Sequence, residues 1–285
     1  MNVFLNKEPY KKVNDKFNFY GVFKPSAESG VDEPRAGKYK STVLSCTFNS
    51  LGSARYLLTE DNKAMRNLAG HVPYDAIYIM VNSKRYGGGG IYNQFCTFTT
   101  NNKWSKYVFL HEFGHSFTGL ADEYYTSDVA YSDFYPQSVE PVEPNITALL
   151  NKPHVKWDSL LTPGIVIPTP WGKEKYDSLD LAWQRLRRKL NNQIAKLTNQ
   201  NAPQDSITII KNMFNKLDKE HAAKIDSFLH KSKYAGKVGV FEGAGYASKG
   251  LYRPMLDCIM FSKGDKPFCD VCADAIKSMI NFYSK

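Results

Sequence analysis

The sequence predicts a mixed α/β (α+β) fold, in which a mixed, twisted sheet accompanies a central helix and a later part carries a helical insert. The chain of 285 residues is long enough to bury a sizeable core, as one large domain or as two lobes around a cleft. Its hydrophobic content of 42% and aromatic content of 14% are typical of a globular protein and exclude a disordered chain. Strand-like and helix-like segments both occur along it, which gives the mixed class.

The first hundred residues supply the predicted strands. Residues 17–23 and 41–48 have the β-branched and aromatic side chains of strands, whereas residues 60–69 have a helical pattern. "AIYIMV" (76–81) is a short apolar run typical of a buried strand. These segments predict a small sheet with at least one helix beside it.

A run of glycines follows the buried strand. "YGGGG" (86–90) is predicted to form a sharp turn that leads into a β-rich segment at 91–100 with interleaved polar residues. The run lacks the G-x-G-x-x-G context between a strand and a helix, and no Lys-Ser/Thr pair follows it. A phosphate-binding loop is therefore not predicted.

Helices dominate the remainder of the chain. Residues 106–118 form the predicted central helix, and residues 121–177, rich in Pro, Asp, Ser and Tyr, form a predicted long ordered loop region. Two helical patterns at 178–198 and 205–232 resemble an αα-hairpin, and a last helix is predicted at 267–283.

We therefore expect a single domain, 1–285, made of two lobes. The N-terminal lobe, about 1–120, holds the sheet and the central helix, and the C-terminal lobe, about 121–285, holds the helical insert 178–232. No apolar run approaches the roughly 20 residues of a membrane-spanning helix, so no span is predicted. The N-terminus, "MNVFLNKEPYKK", lacks the long apolar region of a signal peptide.

The distribution of charge and the cysteine content indicate whether the chain binds nucleic acid and what state its cysteines adopt. The net charge is +9, but the lysines are spread along the chain, and the densest basic patch, 185–189, has the pattern of a solvated helix face. Nucleic-acid binding is therefore not predicted. Five cysteines leave at least one unpaired if the others form disulfides. Cys269 and Cys272 form a lone C-x-x-C, which supports a structural zinc site only weakly, and buried thiols or a single disulfide with Cys258 are favoured.

The stretch "HEFGHSFTGLADEYY" (111–125) contains the H-E-x-x-H pattern of zinc-peptidase helices. Positions i and i+4 share a helix face, so His111 and His115 can bind one ion. Glu112, beside the first ligand, can reach a water on that ion and act as general base. Given this chain's composition, chance alone would produce the pattern roughly 0.005 times.

A third protein ligand is expected, because catalytic zinc sites usually combine three protein ligands with one open position. Gly119 can end the helix in a left-handed conformation and reverse the chain. Asp122 follows three residues later and is the predicted third ligand, with Glu123 as the alternative. If both acids merely cap the helix or form salt bridges, the site would remain incomplete.

These residues resemble the metzincin pattern H-E-x-x-H-x-x-G-x-x-H/D and, more specifically, the bacterial IgA-peptidase family of metzincin-like zinc metallopeptidases. The glycine comes one residue later than in the metzincin pattern, and an acid replaces the third histidine. The resemblance also rests on four further blocks, namely "VPYDAIYIMVNSKRYGGGGIYN" (72–93), "EPNIT" (143–147), "EGAGYASKGLYRP" (242–254) and "CIMFSKGDKPFCDVC" (258–272). The helical insert carries no such resemblance.

The resemblance implies a two-lobed zincin fold, zinc-dependent hydrolysis of peptide bonds, and a secreted or cell-surface bacterial enzyme. Its substrate would be a protein or glycoprotein, either immunoglobulin A or another host or dietary glycoprotein. Met260 resembles the methionine that lies beneath the zinc in metzincins, with Met255 as the alternative. Ser262 stands where some metzincins have a tyrosine, so Tyr246 or Tyr252 is a candidate for stabilising the oxyanion.

In the predicted mechanism, zinc activates a water, and Glu112 takes its proton and hands it to the leaving amine. Residues 91–99 are expected to form the sheet edge that pairs with an extended substrate, or else a plain structural hairpin. A binding or adhesion module with a vestigial metal site is the alternative from another class of function. The intact set of His111, Glu112, His115 and Asp122 argues against that alternative.

Overall fold

The computed structural model of the chain describes residues 1–126, 134–136 and 138–285. Short 3-10 helices at Tyr10–Lys16, Pro34–Ala36, Ser50–Gly52 and Asp158–Leu160 connect the longer elements. In chain order, those elements are α1 (Asn2–Leu5), β1 (Thr47–Phe48), β2 (Leu57–Leu58), α2 (Asn62–Ala69), β3 (Tyr78–Val81), β4 (Gly88–Ile91), β5 (Phe95–Thr99), α3 (Ser105–Thr118), α4 (Lys173–Asn199), α5 (Gln204–His230), β6 (Phe241–Ala244), β7 (Ala247–Arg253) and α6 (Asp270–Tyr283). The mixed α/β class predicted from the sequence is confirmed.

A three-stranded mixed sheet with the order β3-β5-β4 supports the rest of the structure. β3 runs parallel to β5, and β4 runs antiparallel to it. Side chains alternate between the two faces of the sheet. Tyr78, Cys96 and Phe98 face the core around α3, whereas Ile79 and Phe95 face a second core formed with β1 and β2. The sheet therefore separates two cores and holds α3 on one face.

The glycine run forms the strand β4 and packs tightly on both sides. A Cβ at Gly88 would lie 2.4 Å from Val108 Cγ1, and a Cβ at Gly90 would lie 2.4 Å from the Glu112 carbonyl oxygen. On the opposite face, a Cβ at Gly89 would lie 2.6 Å from Leu58 Cδ2. The predicted sharp turn at 86–90 is therefore wrong. Glycine is needed here because α3 lies too close to the strand for a side chain.

The predicted sheet edge at 91–99 is also wrong. β5 is the central strand, with β3 on one side and β4 on the other, so β4 forms the edge. Residues 17–23 form no strand, and all but Phe17 are exposed. Of 41–48, only Thr47–Phe48 pairs, with β2. Aromatic and β-branched residues favour a strand only where a partner strand covers them.

The helix predictions agree with the structure to within a few residues. α2, α3 and α6 correspond to the patterns at 60–69, 106–118 and 267–283. α4 and α5 form the predicted αα-hairpin, with the side chains of Trp183 and Phe214 in contact at a ring-centroid distance of 6.1 Å. The predicted loop region at 121–177 contains one 3-10 helix and, from Lys173 onward, the start of α4, while its residues 127–133 and 137 lie outside the described part of the chain.

The main core surrounds α3. Val108, Leu110, Phe113 and Phe117 on this helix pack with apolar residues from α6 and from the segment before it. Gly114 lies against Met260, since a Cβ there would be 3.0 Å from the methionine Sδ. The burial of these side chains holds α3, which carries the H-E-x-x-H pattern, in position. Among the helices of the described residues, none is long and apolar enough to cross a membrane.

Candidate metal centre

Three ligand atoms converge at the end of α3. The Nε2 atoms of His111 and His115 are 3.1 Å apart, as expected for residues one turn apart on the same helix face. Asp122 Oδ1 lies 3.1 Å from His111 Nε2 and 3.2 Å from His115 Nε2. The three atoms form a nearly equilateral triangle. The structure thus brings together the three ligands predicted from the sequence.

A left-handed turn returns the chain from α3 to this point. Gly119 has φ 67° and caps the helix, and its N–H donates to the His115 carbonyl at 3.0 Å. This bond is that of an αL helix end, and the Leu120 N–H donates to the Gly114 carbonyl at 3.1 Å. The predicted role of Gly119 in the chain reversal is confirmed. The turn then carries Asp122 back toward the histidines.

Backbone carbonyls fix the orientation of both imidazoles. His111 Nδ1 lies 3.1 Å from the Ile259 carbonyl, and His115 Nδ1 lies 2.6 Å from the Leu120 carbonyl. A carbonyl only accepts hydrogen bonds, so each Nδ1 carries the proton. Each Nε2 faces Asp122 Oδ1, and its lone pair can bind a metal ion once the nitrogen carries no proton. This arrangement, with carbonyls as outer partners of ligating histidines, is typical of metal sites.

The donor set fits a small tetrahedral metal ion. Two imidazole lone pairs and a carboxylate oxygen repel one another unless a proton or a metal ion lies among them. Asp122 Oδ1 is buried and has no hydrogen-bond partner, so it is an unsatisfied ligand atom. Tetrahedral bonds of about 2.0–2.1 Å place neighbouring ligand atoms about 3.3 Å apart, close to the observed spacing. These residues can therefore hold a metal ion.

Burial and the close approach of the two histidines to Asp122 shift the pKa values of these residues. Burial alone would raise the pKa of Asp122, but His115 and His111 hold it well below its ordinary value. Burial alone would lower the pKa of His115, yet the negative charge of the Asp122 carboxylate raises it to about 9. Asp122 is therefore ionised at neutral pH and ready to bind a cation.

Glu112 projects from the same helix into the adjoining cavity of about 430 Å³. Burial raises the pKa of its carboxyl above the ordinary value of 4.5, while the two histidines partly oppose that shift. A carboxylate with a raised pKa is a stronger base than an exposed one. Glu112 is therefore suited to proton transfer in the cavity beside the ligand triangle.

Glu123 points away from this triangle. Its Oε1 accepts from Asn145 Nδ2 at 3.0 Å and lies 3.2 Å from Cys272 Sγ. Successive residues of an extended chain project to opposite sides, so Asp122 and Glu123 cannot face the same ion. Of the two acids that the sequence left as alternatives, Asp122 faces the histidines and Glu123 does not.

Of the two candidate tyrosines and the two candidate methionines, one of each contacts the site. The Tyr246 hydroxyl donates to Asp122 Oδ2, whereas Tyr252 lies outside the described lining of the cavity. Met260 is fully buried beneath Gly114, and its carbonyl accepts from the Glu123 N–H at 2.9 Å. Met255 is partly buried at the margin of the core. Tyr246 and Met260 are therefore the members of each pair that contact the site.

One residue that lines the cavity, Arg55, has no signal in the sequence. Arg55, in the connection between β1 and β2, donates from Nη2 to the Tyr124 hydroxyl at 2.6 Å. Its guanidinium carbon lies 5.3 Å from the Tyr124 ring centroid. A single arginine in a loop matches no motif, and only the tertiary fold brings it to the candidate metal-binding residues. It supplies positive charge on the side of the cavity near Asp122.

The αα-hairpin forms the opposite wall of the cavity. Trp183 from α4 and His221 from α5 line it together with Arg187 and Asp218. His221 Nε2 donates to Asp180 Oδ1 at 2.6 Å, and its ring stacks on Trp183 at a centroid distance of 5.3 Å. From the sequence, the position of His221 and His230 in the helical insert predicts that both are exposed to solvent. His230 is exposed, whereas His221 is partly buried because the helix pair packs over the cavity.

A comparison with curated protein sequences gives no significant match. The sequence profile described as IgA Peptidase M64 matches residues 1–280. The match includes α3, the turn after it and the segment with Met260, and it points to a peptidase. Because it runs through every element that carries the site, the chain belongs to the IgA peptidase M64 family.

Proposed function

We propose that the protein is a zinc-dependent endopeptidase in which His111, His115 and Asp122 hold the zinc and Glu112 is the general base. The observation that carries this proposal is the buried Asp122 Oδ1, which has no hydrogen-bond partner and lies 3.1 and 3.2 Å from two imidazole nitrogens. Two histidines and one carboxylate are a ligand set found in catalytic zinc sites. Such sites leave a fourth position for water or substrate.

The bound zinc would polarise the scissile carbonyl and lower the pKa of a water. Glu112 takes a proton from the attacking water and delivers it to the leaving amine. Its raised pKa suits both steps, because the same carboxyl must accept the proton and then release it. The carbonyls of Ile259 and Leu120 keep both imidazoles in the tautomer that ligation requires.

Tyr246 has a positioning role in this proposal. Its hydroxyl holds Asp122 Oδ2, which leaves Oδ1 directed at the histidines. We assign the stabilisation of the oxyanion to the positive charge of Arg55 on the cavity wall. This assignment differs from the expectation that Tyr246 or Tyr252 stabilises the oxyanion.

Substrate would bind as an extended strand along β4. β5 occupies one side of this strand, and on the other side Gly88 forms a bridge to Tyr56 within the described chain. The rest of that outer edge is suited to main-chain pairing with a peptide. The αα-hairpin covers the far side of the cavity, so Trp183 and His221 are placed to contact substrate side chains.

We further propose a metzincin-like arrangement of two lobes, about 1–120 and 121–285, with the cleft between them. α3 would form the floor of the cleft, and Met260 would support it from below. The family and the peptidase chemistry favour a protein or glycoprotein substrate, with immunoglobulin A as one candidate. A secreted or cell-surface location fits that substrate class.

The test is hydrolysis of casein and of an unbiased peptide library, with and without a chelator. We expect cleavage that the chelator abolishes and that added zinc restores. Glu112→Ala should keep its zinc yet lose at least about 10²-fold in kcat/KM, since the residue is a base and not a ligand. Glu220→Ala, an exposed glutamate on α5, is the matched control and should retain full activity. Equal activity of both variants would remove Glu112 from the mechanism.

A further inference from the structure

A second cluster of potential ligands lies behind the first. Glu123, Cys258, Cys269 and Cys272 are all buried, with side chains at most 3% exposed. They come from three segments, namely the turn after α3, the segment containing Met260 and the start of α6. The cluster plays no part in the peptidase mechanism proposed above. One carboxyl group and three thiols are thus buried together, and burial of such ionisable groups is costly unless they have partners.

The spacing within the cluster is that of a tetrahedral metal site. Cys258 Sγ and Cys272 Sγ are 3.8 Å apart, and Glu123 Oε1 lies 3.2 Å from Cys272 Sγ and 3.8 Å from Cys269 Sγ. All four ligand atoms lie within 4.8 Å of one another. Zinc bonds of about 2.3 Å to sulfur and about 2.0–2.2 Å to oxygen give edges of roughly 3.4–3.8 Å. The three distances above lie close to this range, and the other three are at most 4.8 Å.

Backbone amides point at the sulfurs as they do around metal thiolates. Cys258 Sγ accepts from the N–H groups of Cys269 at 3.2 Å and Met260 at 3.4 Å. Cys269 Sγ accepts from the Cys272 N–H at 3.4 Å, at the N-terminus of α6. Amide donors and a helix N-terminus both stabilise thiolates. The segment is therefore prepared for deprotonated cysteines.

A disulfide would explain fewer of these contacts than a bound metal ion. An S–S bond of about 2.05 Å would join two of the three cysteines and leave the third beside a buried carboxylate. Glu123 Oε2 is buried and has no hydrogen-bond partner, so the carboxylate also needs a further partner. The fully buried Arg253 offsets part of the negative charge. A cation shared by all four groups satisfies each of them.

We propose that Glu123, Cys258, Cys269 and Cys272 bind a second, structural zinc ion. Four protein ligands close the coordination sphere and leave no position for water or substrate. The proposal stands apart from the peptidase chemistry, because it rests on different side chains.

The second ion would also position the first site. Glu123 directly follows Asp122, and its N–H donates to the Met260 carbonyl at 2.9 Å. The neighbouring Ile259 carbonyl holds His111 Nδ1 at 3.1 Å. One ion bound by Glu123 and Cys258 thus joins the turn that carries Asp122 to the segment that orients His111. We therefore expect its loss to weaken the first site indirectly.

The test counts zinc in the full-length protein by plasma mass spectrometry. We expect about two zinc ions per chain in the wild type and about one in His111→Ala/His115→Ala. An organomercurial that blocks thiolates should release the remaining zinc from this double variant, as read with a zinc indicator. Cobalt in the same variant should give a thiolate charge-transfer band. These measurements require no peptidase activity, so they stand even if the proposed function fails.

Cysteine variants complete the test. Cys272→Ser should lose the second ion, whereas Cys46→Ser, a buried cysteine outside the cluster, should keep it. If Cys272→Ser does not fold, the double histidine variant decides the question without it. A double variant without zinc, or a native mass that reveals a disulfide among the three cysteines, would overturn the proposal.

Discussion

Gly90→Ala tests whether the close approach of β4 to α3 is needed to align the site. The added Cβ would lie 2.4 Å from the Glu112 carbonyl oxygen and 2.9 Å from His115 Cβ. Ordinary contact begins near 3.4 Å, so the helix must move away by about 1 Å. A displacement of that size at a catalytic site costs about 10²-fold in rate. Overpacking of this kind also costs about 1–3 kcal/mol of stability.

The assay combines kcat/KM on a peptide substrate with zinc content and thermal unfolding. We expect a loss of about 10²-fold in kcat/KM and a decrease in Tm of roughly 3–10 °C. Gly89→Ala faces Leu58 Cδ2, the end of a flexible side chain on the opposite face, and should lose stability with little loss of activity. Gly21→Ala has no atom within 4 Å and is the neutral control. Unchanged activity and stability in Gly90→Ala would refute the packing argument.

Two further predictions concern residues that support the site. Tyr246→Phe removes the donor to Asp122 Oδ2 and should weaken zinc binding about 10- to 100-fold in a chelator competition, while Tyr252→Phe should not; equal affinities would exclude the positioning role of Tyr246. Burial alone would raise the pKa of Asp218, but Lys263 and Lys103 lower it below the ordinary value of 3.8. Its ionised form therefore stabilises the fold above pH 3.8, and this contribution is lost as the pH falls through the lowered pKa. Asp218→Asn should lower the free energy of unfolding by about 1–3 kcal/mol at neutral pH, and the difference from wild type should shrink in acid. Urea denaturation across pH checks this, with the exposed Asp75→Asn as control, and a difference that does not depend on pH would contradict it.

The local features of the site follow from the sequence. The i, i+4 spacing of His111 and His115 requires only a helix, and the left-handed Gly119 requires only a helix end. The alternation of side chains then separates Asp122 from Glu123, although the sequence alone could not state which one faces the histidines. These relations span fewer than fifteen residues, so no tertiary contact is needed to predict them.

The remaining features depend on contacts between distant segments. β4 consists of glycines because α3 packs against it, and a run of glycines in isolation favours a turn. Arg55 reaches the cavity through the β1–β2 connection, and His221 is covered by Trp183. The cluster of Glu123 with three cysteines draws on three segments, so the C-x-x-C pair was only weak support for a metal site.

The most direct test of the central claim is an anomalous difference map at the zinc edge from crystals of the full-length protein. Our account predicts a peak about 2.0–2.1 Å from His111 Nε2, His115 Nε2 and an Asp122 oxygen, with Glu112 outside bonding distance. The proposed second ion would give a separate peak among the cysteines and does not affect this outcome. A map without a peak at the two histidines, or with Glu112 in place of Asp122 as the third ligand, would contradict the account.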